Sequence, residues 1–333
     1  MSNSKVINLK RRPSGTPTLA DFEFTTAEVP TVGNGELLLR TTYVSVDPYL
    51  RGRMNDVPSY IPPFELGEPI ASGVVAEVLE SKHDKFTKGD YVTGSLAWKE
   101  TQVAKPDGLI KIDPKQAPLS AYLGVLGMTG LTAYFGLTEI GKPKAGETLV
   151  VSGAAGAVGS VVGQIGKILG LRVVGIAGTD EKVEMLKSDF GFDAGINYNT
   201  TDDMTKAIAD ACPDGVDIYF DNVGGPISDA VLFNINKFSR TINCGAISVY
   251  NNTELPKSIS VQPFLVRNSS LMQGFIVFDY ADKYPAGIKQ LAEWLQQGKL
   301  SNTETIREGF DNIPQAFLDL FDGKNTGKMV VKI

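Results

Sequence analysis

The sequence predicts an α/β protein: a β-rich amino-terminal domain followed by a doubly wound parallel sheet. Residues 148–160 pass from an apolar run, Thr148 to Val151, through glycines at 153, 156 and 159 into an amphipathic run of helix formers, Val161 to Leu169. From about residue 126 onward, apolar strand candidates alternate with helical ones, as in a parallel sheet with crossover helices. Before that point, period-two alternation broken by frequent Pro and Gly describes short strands in a compact barrel.

Taken in order, Glu36 to Val46 (ELLLRTTYVSV) alternates apolar and polar residues, and Ile70–Val78 and Tyr91–Thr93 are further short strands. In the second part, Leu149–Val151, Arg172–Ala177, Ala194–Asn197, Asp217–Phe220, Arg240–Cys244 and Leu271–Phe278 read as strands. Helices are expected at 160–169, 181–190, 203–211, 226–237 and Ile288–Gln297. The last stretch, 302–333, returns to strands around a short helix, Pro314–Leu320. The expected division is a first domain over 1–125, rejoined by 300–333, and a second over 126–299.

The 333 residues suffice for two domains with a large core. A content of 42% hydrophobic and 21% charged residues is that of an ordinary soluble globular chain. The net charge of −6, with no long basic or acidic run, speaks against nucleic acid and anionic membrane as partners. Lys10, Arg11 and Arg12 are followed by no apolar segment, so no secretory signal is expected, and no apolar run reaches membrane-spanning length. Two cysteines, Cys212 and Cys244, cannot build a disulfide framework and fit a reducing cytoplasm.

The turn at 153–159 has the order needed to hold a dinucleotide pyrophosphate. Gly156 lets backbone approach the phosphates, Gly159 lets helix pack on strand, and the helix N-terminus supplies N–H groups and partial positive charge. Ala154 stands where the usual pattern has its first glycine. The alternative is a glycine-rich turn in some other α/β sheet. In NAD sites an acidic residue at the end of the second strand holds the ribose hydroxyls. Here that strand ends Ile176-Ala177-Gly178-Thr179, with Asp180, Glu181 and Lys182 following. A small neutral strand end beside a lysine suits a 2′-phosphate. Thr179 as a helix cap, with acids in the first turn and Lys182 in solvent, accounts for the same residues, and both readings can hold together.

A catalytic zinc takes three ligands from Cys, His and carboxylate. The chain has one histidine, His83, in a polar turn, and its first cysteine is Cys212, so a zinc-free mechanism is expected. Alcohol oxidation then lacks an evident electrophile or base. Hydride delivery to a polarised C=C bond needs only positioning and hydrogen bonds to the developing enolate oxygen. Three tyrosines are candidate donors: Tyr49 after a strand, Tyr60 in a proline-flanked loop, and Tyr250 in the turn after a sheet strand. Each could equally be a half-buried packing residue.

Ala154–Ser160 (AAGAVGS), Asp180–Lys182, Phe220–Gly225 (FDNVGG), Cys244–Asn251 (CGAISVYN), Ser45–Met54 (SVDPYLRGRM) and Met128–Tyr134 (MTGLTAY) together resemble the zinc-free medium-chain dehydrogenases and reductases. The similar branch holds prostaglandin reductases, leukotriene hydroxydehydrogenases, plant 2-alkenal reductases and bacterial curcumin reductases. The resemblance spans about residues 5–333.

It implies a GroES-like β-barrel domain and a Rossmann domain, with NADPH-dependent reduction of the C=C bond of α,β-unsaturated aldehydes and ketones. A quinone reductase of the related zinc-free branch is the alternative enzyme, and a binding protein without turnover the non-enzyme one. By family pattern, Gly156, Ala157, Val158 and Gly159 would hold the pyrophosphate, and Lys182 and Tyr198 the 2′-phosphate. Met128, Thr129, Asn222, Cys244, Gly245, Ala246, Ile247, Tyr250, the backbone of Phe275, Ile276 and Val277, and Asn325 would line the NADP(H) cofactor. The strand Leu271–Phe278 would pair with its copy to make a homodimer. One departure stands out. Some members carry a lid tyrosine five residues before the methionine at 272, where this chain has Arg267.

Overall fold

The computed structural model describes residues 3–254 and 256–333. The chain divides into two compact units, Met1–Leu123 with Glu304–Asn325 and Met329–Ile333, and Gly124–Thr303 with Thr326–Lys328. Among the described residues no helix is long and apolar enough to cross a membrane.

The first unit is built on antiparallel strands. They are β1 (Asn3–Leu9), β2 (Phe22–Glu28), β3 (Leu37–Ser45), β4 (Ala71–Ser81), β5 (Tyr91–Ala97), β6 (Thr101–Ala104) and β7 (Ile110–Ile112). β1 and β2 form a two-stranded sheet, and β3 pairs with both β4 and β6. Alternating residues of these strands point inward, so Leu37, Leu39, Val74, Val78 and Val92 share one core with Trp98, just past β5. The buried Trp98 indole donates to Ser72 Oγ at 2.8 Å, and Ser72 Oγ donates to the Ser45 carbonyl at 2.7 Å, which satisfies the polar atoms in that core.

After β3 the chain turns at Pro48 into a single helical turn, α1 (Leu50–Arg53). Arg51 is buried, and its guanidinium donates to the Gly15 carbonyl at 2.9 Å and to Asn55 Oδ1 at 2.6 Å. Arg53 lies over the Phe64 ring at 3.9 Å and donates to the Pro62 carbonyl at 3.0 Å. These two arginines pin the irregular 55–63 segment that carries Tyr60.

The second unit contains six strands: β8 (Thr148–Ser152), β9 (Arg172–Ala177), β10 (Ala194–Asn197), β11 (Val216–Asp221), β12 (Ile235–Asn243) and β13 (Leu271–Gly274). The order is β10-β9-β8-β11-β12-β13, and the pairs are parallel. Every residue of β8 is buried, as expected of a central strand covered on both faces. The helices are α2 (Met128–Phe135), α3 (Gly159–Ile168), α4 (Asp180–Ser188), α5 (Met204–Ala211), α6 (Gly225–Leu232), α7 (Gln262–Asn268) and α8 (Tyr284–Gln296). Strand order reverses between β8 and β11, and the carboxyl ends at such a point form the ligand crevice of doubly wound sheets. The chain then returns to the first unit with β14 (Glu304–Glu308), α9 (Ile313–Asp319) and β15 (Lys328–Lys332). There the sheet runs β14-β15-β3-β4-β5-β7.

Two expected elements are shorter than the sequence indicates. The helix expected over 226–237 ends at Leu232, because buried Ile235 must enter β12 and pair with Val216. The strand expected over 271–278 leaves the sheet after Gly274. Val277 is buried at the head of a tight helical turn, and the Phe275 ring packs edge-on against Phe220.

Candidate functional site

The crevice is assembled from the carboxyl ends of β8 and β11. The β8–α3 turn holds Gly156, Ala157, Val158 and Gly159. Gly153 has φ +58, a conformation glycine adopts without strain, and its carbonyl accepts the Gly156 N–H at 3.0 Å. A Cβ on Gly159 would overlap the Gly153 carbonyl and lie 2.8 Å from Ala154 Cα, so helix and strand pack with no side chain between them. A Cβ on Gly156 would meet only the Gly153 carbonyl, at 3.2 Å, leaving the outward side of the turn open to a close-fitting anion. The turn therefore fits a pyrophosphate held by backbone N–H groups at the start of a ten-residue helix.

At the end of β9, Thr179 caps α4, its hydroxyl accepting the Lys182 N–H at 3.2 Å. Burial pushes the Lys182 ammonium below its ordinary range. Tyr198 follows β10, bonded through its N–H to the Ala177 carbonyl at 3.1 Å, and its ring is 43% exposed. The position an acid takes in NAD pockets is occupied here by Gly178, whose added Cβ would lie 2.9 Å from the Tyr198 hydroxyl. Gly178, Lys182 and Tyr198 follow the ends of the neighbouring parallel strands β9 and β10.

Asn222 stands at the end of β11. Its amide donates to the Ser152 carbonyl at 2.8 Å, and its backbone N–H to Ser152 Oγ at 2.9 Å. The neighbouring Asp221 is buried. Its Oδ1 accepts from Ser152 Oγ (2.9 Å), Tyr219 OH (2.9 Å) and the Val223 and Gly224 N–H groups (3.0 and 2.9 Å), and its Oδ2 from Ser228 Oγ. Its carbonyl accepts from the Cys244 and Gly245 N–H groups at 2.9 and 3.1 Å. The carboxylate therefore ties the end of β8 to the turn between β11 and α6, and the carbonyl of the same residue holds the chain just after β12. Cys244 is a free thiol that burial pushes up to about 12, so it is not a nucleophile near neutrality.

Ala246 and Ile247 lead into Tyr250, whose hydroxyl accepts the Ala246 N–H at 3.2 Å. Burial raises the Tyr250 phenol above its ordinary range. Thr129 is buried, donating to the Gly124 carbonyl at 3.1 Å, and Met128 beside it opens α2. Phe275, Ile276 and Val277 follow β13. In the first unit, burial raises the Tyr49 phenol, while Tyr60 is 56% exposed. Asn325 precedes the Thr326–Lys328 stretch, where the Gly327 N–H donates to the Ala155 carbonyl at 2.8 Å and seats on the glycine turn.

Sequence reasoning did not single out Ser152, Asp221 as a hub, Ser228 or Gly327. The run FDNVGG drew notice only through the family likeness. Gly327 lies too far along the chain for any local pattern to join it to the turn.

A doubly wound sheet with a glycine turn at its switch point, joined to a β-rich unit that the chain's end re-enters, is the architecture of medium-chain dehydrogenases and reductases. Residues 5–112 match the N-terminal domain of oxidoreductases, and residues 157–296 match the zinc-binding dehydrogenase family. Among the described residues no three or more His, Cys, Asp or Glu side chains are grouped to hold a metal ion.

A Bacillus subtilis protein named as an NADP-dependent oxidoreductase, YfmJ, is 58% identical over 100% of this chain and 98% of its own. The tobacco 2-alkenal reductase (NADP(+)-dependent) is 43% identical over 100% of this chain and 98% of its own. Vibrio vulnificus CurA, solved in complex with NADPH, is 44% identical, superposes with a TM-score of 0.94, and is matched over 98% of both chains. The chain belongs to the zinc-free branch of the medium-chain dehydrogenase/reductase family, together with curcumin, 2-alkenal and prostaglandin reductases.

Proposed function

We propose that the protein is an NADPH-dependent reductase of the C=C bond of α,β-unsaturated aldehydes and ketones. The observation that carries this reading is the 43% identity to a 2-alkenal reductase over 100% of this chain, in a chain whose β9 runs into Gly178 and a Thr179-capped helix that carries Lys182. When bound, NADPH supplies a hydride. The protein's part is to hold and to orient. The glycine turn binds the pyrophosphate, and Lys182 with Tyr198 binds the 2′-phosphate. Met128, Thr129, Asn222, Cys244 to Ile247, Phe275 to Val277 and Asn325 line the cofactor.

The substrate is a small enone or enal whose carbonyl already polarises the double bond. A hydroxyl donor at the carbonyl oxygen then stabilises the enolate that forms. Tyr250 is the candidate donor of the nucleotide-binding unit, and Tyr49 and Tyr60 are those of the amino-terminal unit. The assembly is a homodimer joined through the 271–278 segment, supported by the exposed Leu271 on edge strand β13. A cytoplasmic location is part of the same reading, in keeping with two free cysteines.

NADPH depletion measured with alkenals, enones, quinones and alcohols tests it. Turnover of the first two classes is expected. Turnover of quinones alone, or of alcohols with NADP⁺ alone, would overturn the reading.

A further inference from the structure

Two acids, Asp180 and Glu181, begin α4 just before Lys182. There they favour the helix, because negative charge is stabilising in a first helical turn. They oppose a 2′-phosphate close by for the same electrostatic reason. The structure ties both acids into local bonds. Glu181 bonds to the Thr179 hydroxyl and to its own backbone N–H. Asp180 Oδ1 accepts a hydrogen bond of 2.7 Å from the side-chain amide of Asn197, the last residue of β10.

Asn197 is itself fixed. Its Oδ1 accepts the Asn199 N–H at 3.0 Å, its carbonyl accepts the Thr201 hydroxyl at 2.7 Å, and Asn199 donates to the Gly178 carbonyl at 2.7 Å. The Asp180 clasp therefore rests on the same short segment that carries Tyr198.

We propose that Asn197 is a specificity-determining residue for NADPH over NADH: its amide holds the Asp180 carboxylate away from the 2′-phosphate. Released, Asp180 would stand near the ribose. There it would repel a phosphate and accept a bond from a free 2′-hydroxyl, as the acid of NAD sites does. With glycine at 178, Asp180 is the first acid after the end of β9.

The proposal rests on the NADP(H) reading, and the test separates the two. Dissociation constants for NADPH and NADH are measured by nucleotide fluorescence and calorimetry, with 2′,5′-ADP as competitor, on wild type and four variants. Wild type should prefer NADPH and bind 2′,5′-ADP. Asn197→Ala, which leaves the charge count unchanged, should lower the NADPH-to-NADH affinity ratio about 3–10-fold, the scale of one unit charge moved a few ångströms near water. Asn197→Asp should lower it further. Asp180→Asn should keep or raise it.

The swap Asp180→Asn with Asn197→Asp restores a donor facing an acceptor and the wild-type net charge, and should bring the ratio back to about the wild-type value. Equal loss of both nucleotides in Asn197→Ala, an unchanged ratio, or no recovery in the swap would overturn the role of Asn197 while leaving the cofactor reading intact. Equal wild-type affinity for both nucleotides with no binding of 2′,5′-ADP would overturn both.

Discussion

The Tyr250 hydroxyl accepts a hydrogen bond from the Ala246 backbone nitrogen, four residues earlier, at 3.2 Å. The bond engages a lone pair of the phenol oxygen and leaves the O–H proton to be donated elsewhere. Burial raises the phenol's pKa, so the donor form persists above the ordinary tyrosine value of about 10.

Tyr250→Phe should therefore lower kcat on an enone, by up to about 10²–10³ if this is the principal enolate donor. NADPH affinity should fall less, because the lost Ala246 bond accounts for only about 0.5–1.5 kcal/mol. A wild-type rate that depends on this O–H should show no loss from Tyr250 ionisation below that tyrosine value. Steady-state kinetics and NADPH titration of the variant, with a wild-type pH profile, check both parts. An equal loss of affinity and kcat would mean that Tyr250 only shapes the loop.

Gly156 and Gly159 sit in the same turn but should fail differently. A methyl at 159 meets backbone on the strand side, which cannot retreat without parting α3 from β8. Gly159→Ala should destabilise the fold by about 1–3 kcal/mol, the usual range for overpacking. A methyl at 156 meets a single carbonyl at 3.2 Å and otherwise faces outward. Gly156→Ala should leave the denaturation midpoint near that of wild type and weaken NADPH binding. Denaturation curves beside nucleotide titrations distinguish the two.

Lys182→Ala should reduce NADPH affinity by about 1.5–3 kcal/mol, the scale of a charge-assisted hydrogen bond. NADH affinity should change little, since a lysine at the 2′-phosphate would address a group that NADH lacks. Titration of both nucleotides against the variant measures the difference, and equal loss of the two would count against a 2′-phosphate contact.

How much of this was legible follows from where the determining contacts lie. β9 and β10 match their expected limits because β-branched and small residues end abruptly at Gly178 and at Asn197-Tyr198-Asn199. The glycine turn is equally local, so its place could be read. The apolar run LMQGFIVF is continuous in sequence, and nothing in it announces that Val277 is drawn into the interior after Gly274. Likewise Ile235 continues a helical pattern yet belongs to β12. The Asp221 hub and the Asn197–Asp180 clasp join residues on different elements, and polar residues of that kind carry no periodic signature.

β13 is the outer strand of its sheet, and Leu271 on it is 45% exposed. Light scattering at micromolar concentration should give a dimer mass. Leu271→Lys, a charge on the edge, should shift it toward monomer. A monomeric wild type would contradict pairing through this strand.

The position of the transferred hydrogen distinguishes double-bond reduction from carbonyl reduction. Hydride at the carbon β to the carbonyl leaves an enolate, whereas hydride at the carbonyl carbon leaves an alkoxide, and either places negative charge on the oxygen that a tyrosine hydroxyl would bond. With NADPH deuterated at the transferable position, label should appear at the β-carbon of a saturated ketone, and the α-hydrogen should come from solvent. Magnetic resonance of the product made from a simple enone reads both positions at once. Label on the carbonyl carbon of an allylic alcohol would show that the carbonyl itself is the acceptor. The tyrosine hydroxyls would then face a developing alkoxide at the same oxygen, so the position of the label, and not their protonation state, decides between the two reactions.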